Sequence, residues 1–145
     1  MRMDRDHFYM ELAKLYAKRS TCDRAQVGAI ITVGGRLISA GYNGSPHGMP
    51  HCDDIGHSMV DGHCVRTIHA EINALEFLSK ISHYRYPDTI MYVTHLPCDN
   101  CIRYICGSIH RPKILYYGKV YGNDVKARVD KLIGAGIDVR QLQPL

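Results

Sequence analysis

Two short stretches constrain this chain more than anything else in it: Thr67-Ile68-His69-Ala70-Glu71 and, about twenty-five residues on, Pro97-Cys98-Asp99-Asn100-Cys101. One histidine and two cysteines make a three-ligand zinc set, which leaves the fourth tetrahedral position to water, as in zinc sites that do chemistry. Two thiolates and a neutral imidazole balance the ion's double charge, and zinc lowers the pKa of its water from ~15.7 to about 7. Glu71, two residues after the histidine, is the candidate carboxylate to take and return protons there. Any fold of this chain must therefore close residues 69–71 onto residues 98–101. Taken singly, each half is weak. A lone Cys-x-x-Cys is often a structural zinc knuckle or a redox pair, and a lone histidine is more often a core or surface residue. The specificity lies in the combination, with Pro97 ahead of the first cysteine.

The 145 residues suit one domain. A domain of that size buries about 68–70% of its unfolded-chain surface, so metal is not needed merely to have a core. Hydrophobic content of 46% and charged content of 22% are ordinary for a soluble globular protein. No apolar run approaches the ~20 residues of a membrane span. The first residues, Met1 to His7, are charged and lack the apolar centre of a signal peptide. A cytoplasmic protein with no membrane partner is the expectation. The net charge of +4, with nine histidines in reserve, favours phosphate-bearing ligands modestly. The basic residues are scattered, and no dense Lys/Arg block marks a nucleic-acid groove. Six cysteines could form a disulfide framework only in an oxidising compartment. Metal ligation accounts better for five of them. Cys106, among Ile102, Ile105 and Ile109, reads as a small core residue.

Along the chain, residues 4–20 read as an amphipathic helix, with Asp4 as N-cap and Phe8, Leu12, Leu15 and Tyr16 at helical spacing. Val27 to Val33 is an apolar, β-branched run; Gly34-Gly35 signals a tight turn, and Arg36 to Asn43 supplies the returning strand. Residues 44–66 are rich in Gly, His, Pro, Asp and Cys, without usable periodicity, and too long for an unheld loop. His69 to Ser82 reads as a helix with Ile72, Leu75 and Leu78 on one side. Thr89 to Leu96 reads as a strand, Cys98 to Ile109 as a helix, and Lys113 to Gly118 as a strand. A helix capped by Asn123 reaches Ile133 and ends at Gly134-Ala135-Gly136, and Ile137 to Leu142 forms a last strand. The order α-β-β-α-β-α-β-α-β implies an α/β layered sheet covered by helices.

Both ligand segments stand where a strand or loop feeds a helix start, where the dipole and free N–H groups favour thiolate over thiol. Within a helix, Cys98 and Cys101 would lie about one turn apart, roughly 4.5 Å along the axis. His69 and Glu71, two apart, would diverge in mid-helix and can share a cavity only at a helix start.

His-x-Glu followed by Pro-Cys-x-x-Cys is the signature of zinc nucleobase deaminases. Arg19-Ser20-Thr21-Cys22, Val27-Gly28-Ala29, Gly41-Tyr42-Asn43-Gly44-Ser45-Pro46, Cys64 to Glu71 and Tyr92-Val93-Thr94 extend the likeness from residue 5 to about 140. In these residues the chain resembles the deoxycytidylate (dCMP) deaminases of the cytidine deaminase superfamily, most nearly the short phage and bacterial members. The resemblance implies a three-layer α/β/α fold with a five-stranded mixed sheet, in one deaminase domain over residues 1–145 with a Cys/His-rich insertion at about 44–66. It implies hydrolysis of dCMP to dUMP and ammonia, supplying a thymidylate precursor. His69, Cys98 and Cys101 would hold catalytic zinc, and Glu71 would move protons from water to ring N3 and to the departing amine.

Further roles follow from the same resemblance. Asn43 would bind the sugar, although an asparagine in a turn after a strand is the plainer reading of that residue alone. Ala70, Arg24, Tyr117 and Tyr121 are substrate-contact candidates, Arg24 being equally readable as a solvated loop residue. Gly41, Tyr42, Asn43 and Gly44 form the segment implicated in effector binding, with dCTP activating, dTTP inhibiting and Mg²⁺ accompanying the triphosphate. Cys22, Cys52, His57 and Cys64 would form a closed structural zinc site tying the 44–66 segment to the end of the first helix. His47, His51 and His63 stand as alternatives for its fourth ligand, and reduced buried thiols are the metal-free reading. Family members usually assemble as homo-oligomers, commonly hexamers. Two rival readings stay open: a tRNA adenosine deaminase with the same zinc motifs, and a zinc-stabilised binding module without chemistry. Gly-Tyr-Asn-Gly-Ser-Pro and the Cys/His insertion speak against the first, and Glu71 against the second.

Overall fold

Asp4 opens the first helix by accepting the His7 N–H at 2.9 Å, and α1 runs Arg5–Ala17. The computed structural model describes every residue except 24, 47, 61, 62 and 65, with the backbone alone at 53, 63 and 64. After α1, β1 (Gly28–Val33) and β2 (Arg36–Tyr42) form a hairpin through Gly34 and Gly35, both at positive φ. The 44–66 segment holds a short helix, α2 (Cys52–Ile55), and a small antiparallel pair, β3 (Met59–Val60) with β4 (His63–Cys64). Then follow α3 (Ala70–Ile81), β5 (Thr89–His95), α4 (Asp99–Gly107), β6 (Ile114–Lys119), α5 (Val125–Gly134) and β7 (Asp138–Gln141). No helix among the described residues is long and apolar enough to cross a membrane.

The main sheet has the order β2-β1-β5-β6-β7. β1 pairs antiparallel with both β2 and β5, whereas β5-β6 and β6-β7 are parallel, each bridged by a helix. It is the five-stranded mixed sheet that the resemblance implies. Strand periodicity sorts the side chains between its two faces. Ala29, Ile31, Met91, Val93, Leu115 and Tyr117 face one core with Ala74, Leu75 and Leu78 of α3, Ile102 and Ile105 of α4 and Leu132 of α5. The intervening Ile30, Tyr92 and Tyr116 face Met10 and Ala13 of α1. Helices thus cover both faces, which is why β1 and β5 read as near-continuous apolar runs.

Several boundaries and one helix face differ from the sequence expectation. Phe8 and Leu15 of α1 are 53% and 58% exposed, and the buried stripe is Met10, Ala13 and Ala17. Close approach decides this: a Cβ on Gly28 would lie 1.9 Å from the Ala13 carbonyl oxygen and 2.8 Å from the Ala17 nitrogen, so α1 turns its Ala13–Ala17 face to β1 at this point. Asp124, not Asn123, occupies the N-cap of α5, in a left-handed conformation. Cys106 is half-buried against the larger core as expected, but its neighbour Ile109 is exposed. Gly28→Ala is expected to destabilise the protein by about 3 kcal/mol or more, since the overlap is with rigid backbone; urea unfolding measures it.

Candidate active site

The two ligand segments meet because β5 delivers one and the end of β2 pins the other. Gly44 and Ile68 exchange main-chain hydrogen bonds of 3.1 and 2.8 Å in an isolated antiparallel bridge. The Asn73 amide donates to the Tyr42 carbonyl at 2.9 Å and the Ile68 carbonyl at 3.3 Å, clamping the approach to α3 from inside the helix. On the other side, β5 ends at His95 and the chain passes through Leu96 and Pro97 into α4. The Leu96 N–H donates to the Lys119 carbonyl at 2.8 Å, continuing the sheet by one bond.

His69 and Cys98 are both N-cap residues, with extended ψ of 152° and 168°. Neither lies in the helix it precedes. This resolves the difficulty with the two-residue spacing of His69 and Glu71, because helical periodicity does not yet govern the first of them. It also corrects the one-turn separation expected for Cys98 and Cys101, of which only Cys101 is helical. Neither cap residue makes the side-chain cap bond that Asp4 makes in α1. That bond is typically worth ~1 kcal/mol, and both positions carry instead a side chain that could ligate a metal.

The three ligand atoms converge. His69 Nδ1 lies 3.1 Å from Cys101 Sγ and 3.5 Å from Cys98 Sγ, and all three atoms lie within 4.8 Å of one another. A tetrahedral zinc, with bonds of ~2.3 Å to sulfur and ~2.0 Å to nitrogen, sets an S···N pair roughly 3.5 Å apart. The set fits that ion, with Nδ1 as the ligating nitrogen. The charges agree. The hydrogen bond from Cys101, helped by His69, holds the Cys98 thiol down at about 3, while that same bond and burial push Cys101 up. Bringing both sulfurs to the thiolate form would call for a divalent cation, which this set could hold.

Glu71 is 4% exposed, on the first turn of α3. Burial pushes its carboxyl up to about 7, opposed by its own backbone N–H and by His69. A carboxyl titrating there is matched to proton transfer in both directions near neutral pH. Beside the ligands opens a cavity of about 620 Å³, lined by Thr67, Ile68, Ile72, Asn100, Tyr121 and Asn123 among others. Its size suits a nucleotide-sized ligand.

The remaining candidates divide. Tyr121 lines this cavity, its ring edge-on to His95 at 5.4 Å, and its phenol is pushed up to about 12, chiefly by burial. Tyr117 is instead buried in the sheet core and is not among the cavity's lining residues. Ala70 is fully buried at the start of α3. Asn43 is buried, accepting the Val27 N–H at 2.8 Å and donating to the Ala25 carbonyl at 2.6 Å, so its side chain knits the 25–27 loop to β2. A Cβ on Gly41 would lie 2.6 Å from the Ala70 carbonyl oxygen, so Gly41 lets α3 approach β2. Tyr42 is half-buried, and Gly44 makes the bridge to Ile68. Arg24 lies outside the described residues.

A second cluster stands apart from the first. Cys22, Cys52 and His57 bring their ligand atoms within 4.8 Å of one another, with Cys22 Sγ 3.3 Å from His57 Nδ1. The other nitrogen of His57 pairs with Asp23 at 3.1 Å, the carboxylate–histidine arrangement that orients metal-binding imidazoles. The side chains of Cys64 and His63, and all of His47, lie outside the described residues. His51, an alternative ligand from the sequence, is exposed at the N-cap of α2 and does not join the cluster.

Sequence reasoning missed Asp23, His95 and Arg128. Asp23 adjoins a ligand cysteine and could have been noticed. His95 is half-buried against Tyr121, and burial lowers its pKa. Arg128, buried and lining the cavity, carries no sequence signal, because an arginine in an amphipathic helix reads as solvent-facing.

Residues 3–117 match the family profile described as the cytidine and deoxycytidylate deaminase zinc-binding region. The chain belongs to the cytidine and deoxycytidylate deaminase family. It is 40% identical over 144 residues to ComE operon protein 2 of Bacillus subtilis, a match covering 98% of this chain and 73% of that protein. With the deoxycytidylate deaminase of Enterobacteria phage T2 it is 31% identical over 168 residues, covering 90% and 88%. Its fold is similar to that of the cyanophage S-TIM5 dCMP deaminase solved in complex with dCMP and dUMP. There the TM-score is 0.80 and the identity 29%, with 98% of this chain and 99% of that one covered. In this family member, His69→Ala is expected to weaken Zn²⁺ binding at the first cluster at least ~100-fold, beyond what loss of an orienting partner costs. Competition with a chromogenic chelator measures it.

Proposed function

We propose that this chain catalyses the hydrolytic deamination of dCMP to dUMP and ammonia, in one deaminase domain over residues 1–145. The observation that carries the reading is a buried carboxyl, Glu71, poised near neutrality beside a His/Cys/Cys set at the wall of a cavity of about 620 Å³. The membership in the deaminase family supports it. Zinc held by His69, Cys98 and Cys101 would supply the activated water that serves as nucleophile. Glu71 would take one proton from the attacking water and pass it to ring N3, and would then carry the second, from the hydroxyl added at C4, to the departing amine, so that one water is consumed and one ammonia released. Burial keeps Glu71 out of competition with solvent and raises its proton affinity toward that of a metal-activated water. Tyr121 forms part of the wall against which the substrate lies. Asn43, beyond its structural bonds, is proposed at the sugar, with Ala70 and Arg24 as further contacts.

The second cluster is proposed as a structural zinc site formed by Cys22, Cys52, His57 and Cys64. The 3.3 Å approach of Cys22 to His57 supports it, as does the need to fasten a segment whose secondary structure, among the described residues, is one short helix and two two-residue strands. Such a site is closed, with four protein ligands. Elemental analysis of freshly purified protein is expected to find about two zinc ions per chain, falling to about one in Cys22→Ser.

Effector control is proposed at Gly41–Gly44, with dCTP activating and dTTP inhibiting, and with Mg²⁺ accompanying the triphosphate. The Gly44–Ile68 bridge supports this, because movement of that loop would be felt one residue from His69. Assembly into a homohexamer and residence in the cytoplasm, of the host if the source is a phage, complete the proposal. A reducing compartment suits the ligating thiolates.

Ammonia release is expected from dCMP and not from cytidine or tRNA, with dCTP raising and dTTP lowering the rate. Equal activity on tRNA would overturn the substrate assignment. Glu71→Gln is expected to retain zinc and lose ~10²–10⁴-fold in kcat; near-normal turnover in that variant would remove Glu71 from the mechanism.

A further inference from the structure

Arg128, on the first turn of α5, is 5% exposed, and no ion pair among the described residues includes it. A buried guanidinium without a carboxylate is costly unless its donors are used. They go to main-chain carbonyls of two separate loops. Nη2 donates to the Tyr121 carbonyl at 2.6 Å, and Nη1 to the Leu96 and Pro97 carbonyls at 3.4 and 3.3 Å, while Nε is buried without a partner. Leu96 and Pro97 lead directly into Cys98. Tyr121, Gly122 and Asn123 line the cavity beside it.

We propose that Arg128 is a positioning residue that fixes the Tyr121–Asn123 wall of the cavity against the Leu96–Cys98 loop. The planar guanidinium reaches both loops with fixed geometry, which a single ammonium on a flexible stem does not reproduce. The two sides of the tie are unequal. The bonds to Leu96 and Pro97 are long, and that loop has independent holds: the Leu96 N–H on Lys119, and the Cys98 carbonyl accepting from the Ile102 N–H at 2.9 Å. The Tyr121 bond is short. Among the described residues it is the one polar side-chain contact recorded for the Tyr121–Asn123 main chain, and it follows Val120 outside the sheet. Loss of Arg128 therefore frees the substrate-facing wall and leaves the metal ligands in place.

The proposal rests on reading the cavity as the dCMP pocket, and two measurements separate the two claims. In steady-state kinetics, Arg128→Met is expected to raise KM for dCMP about tenfold and to change kcat by less than about threefold, with zinc content unchanged. Arg128→Lys should fall between this variant and the wild type. In hydrogen exchange, which needs no substrate, Arg128→Met should accelerate the amides of residues 120–124 and leave the sheet protected. A wild-type protein inactive on dCMP would sink the pocket reading, and exchange would still decide the tie. An unchanged KM, a loss confined to kcat, or acceleration spread through β5 and β6 would overturn the proposal. If Arg128→Met does not fold, the same criteria apply to Arg128→Lys.

Discussion

Two helix N-termini aimed at one point are the constraint on which the rest of this structure depends. His69 and Cys98 stand at the caps of α3 and α4, and Cys101 and Glu71 stand in the first turns behind them. Each terminus presents the positive end of a helix dipole and unsatisfied N–H groups. Together they lower the cost of ionising a thiol inside a protein. The sheet exists, in functional terms, to hold those termini together: β5 carries one, and the bridge from β2 carries the other. Gly28 and Gly41 serve the same end at a distance, letting α1 and α3 lie close enough to the sheet for the frame to be rigid.

Burial then does the chemical tuning. Removal from water raises the Glu71 carboxyl, while the hydrogen bond between the two cysteines lowers Cys98 and raises Cys101. In a surface cluster, solvent would screen these effects and each group would titrate near its ordinary value. In the second cluster Cys22 and Cys52 are buried and His57 lies at the edge, paired with Asp23, an exposed carboxylate where the first cluster has the buried Glu71.

The site has a local cost. Asp4 closes α1 with a side-chain bond, whereas α3 and α4 give up theirs to free His69 and Cys98. The core makes up for it. Ala74, Leu75 and Leu78 of α3 and Ile102 and Ile105 of α4 are buried almost completely against β1, β5 and β6. Helices that would be marginal alone are held by their packing, which leaves their first residues available.

Much of this was legible in the linear chain. The spacing of His69, Glu71, Cys98 and Cys101 named the cluster, and the alternation of apolar runs with helical patterns gave the order of the main elements, because both are local properties of neighbouring residues. Other features were not legible. Which face of α1 is buried depended on the close approach at Gly28, where a Cβ would lie 1.9 Å from the Ala13 oxygen; Met10 and Ala13 went inward and Phe8 and Leu15 outward. Tyr117 and Tyr121, four residues apart, went one to the core and one to the cavity. Arg128 became a buried residue by meeting carbonyls about thirty positions earlier in the chain. The sequence by itself determined which residues could hold a metal and move a proton, since that follows from residue type and order. Only the tertiary structure decided what surrounds them, because exposure, dielectric and the meeting of distant carbonyls arise when separate segments pack.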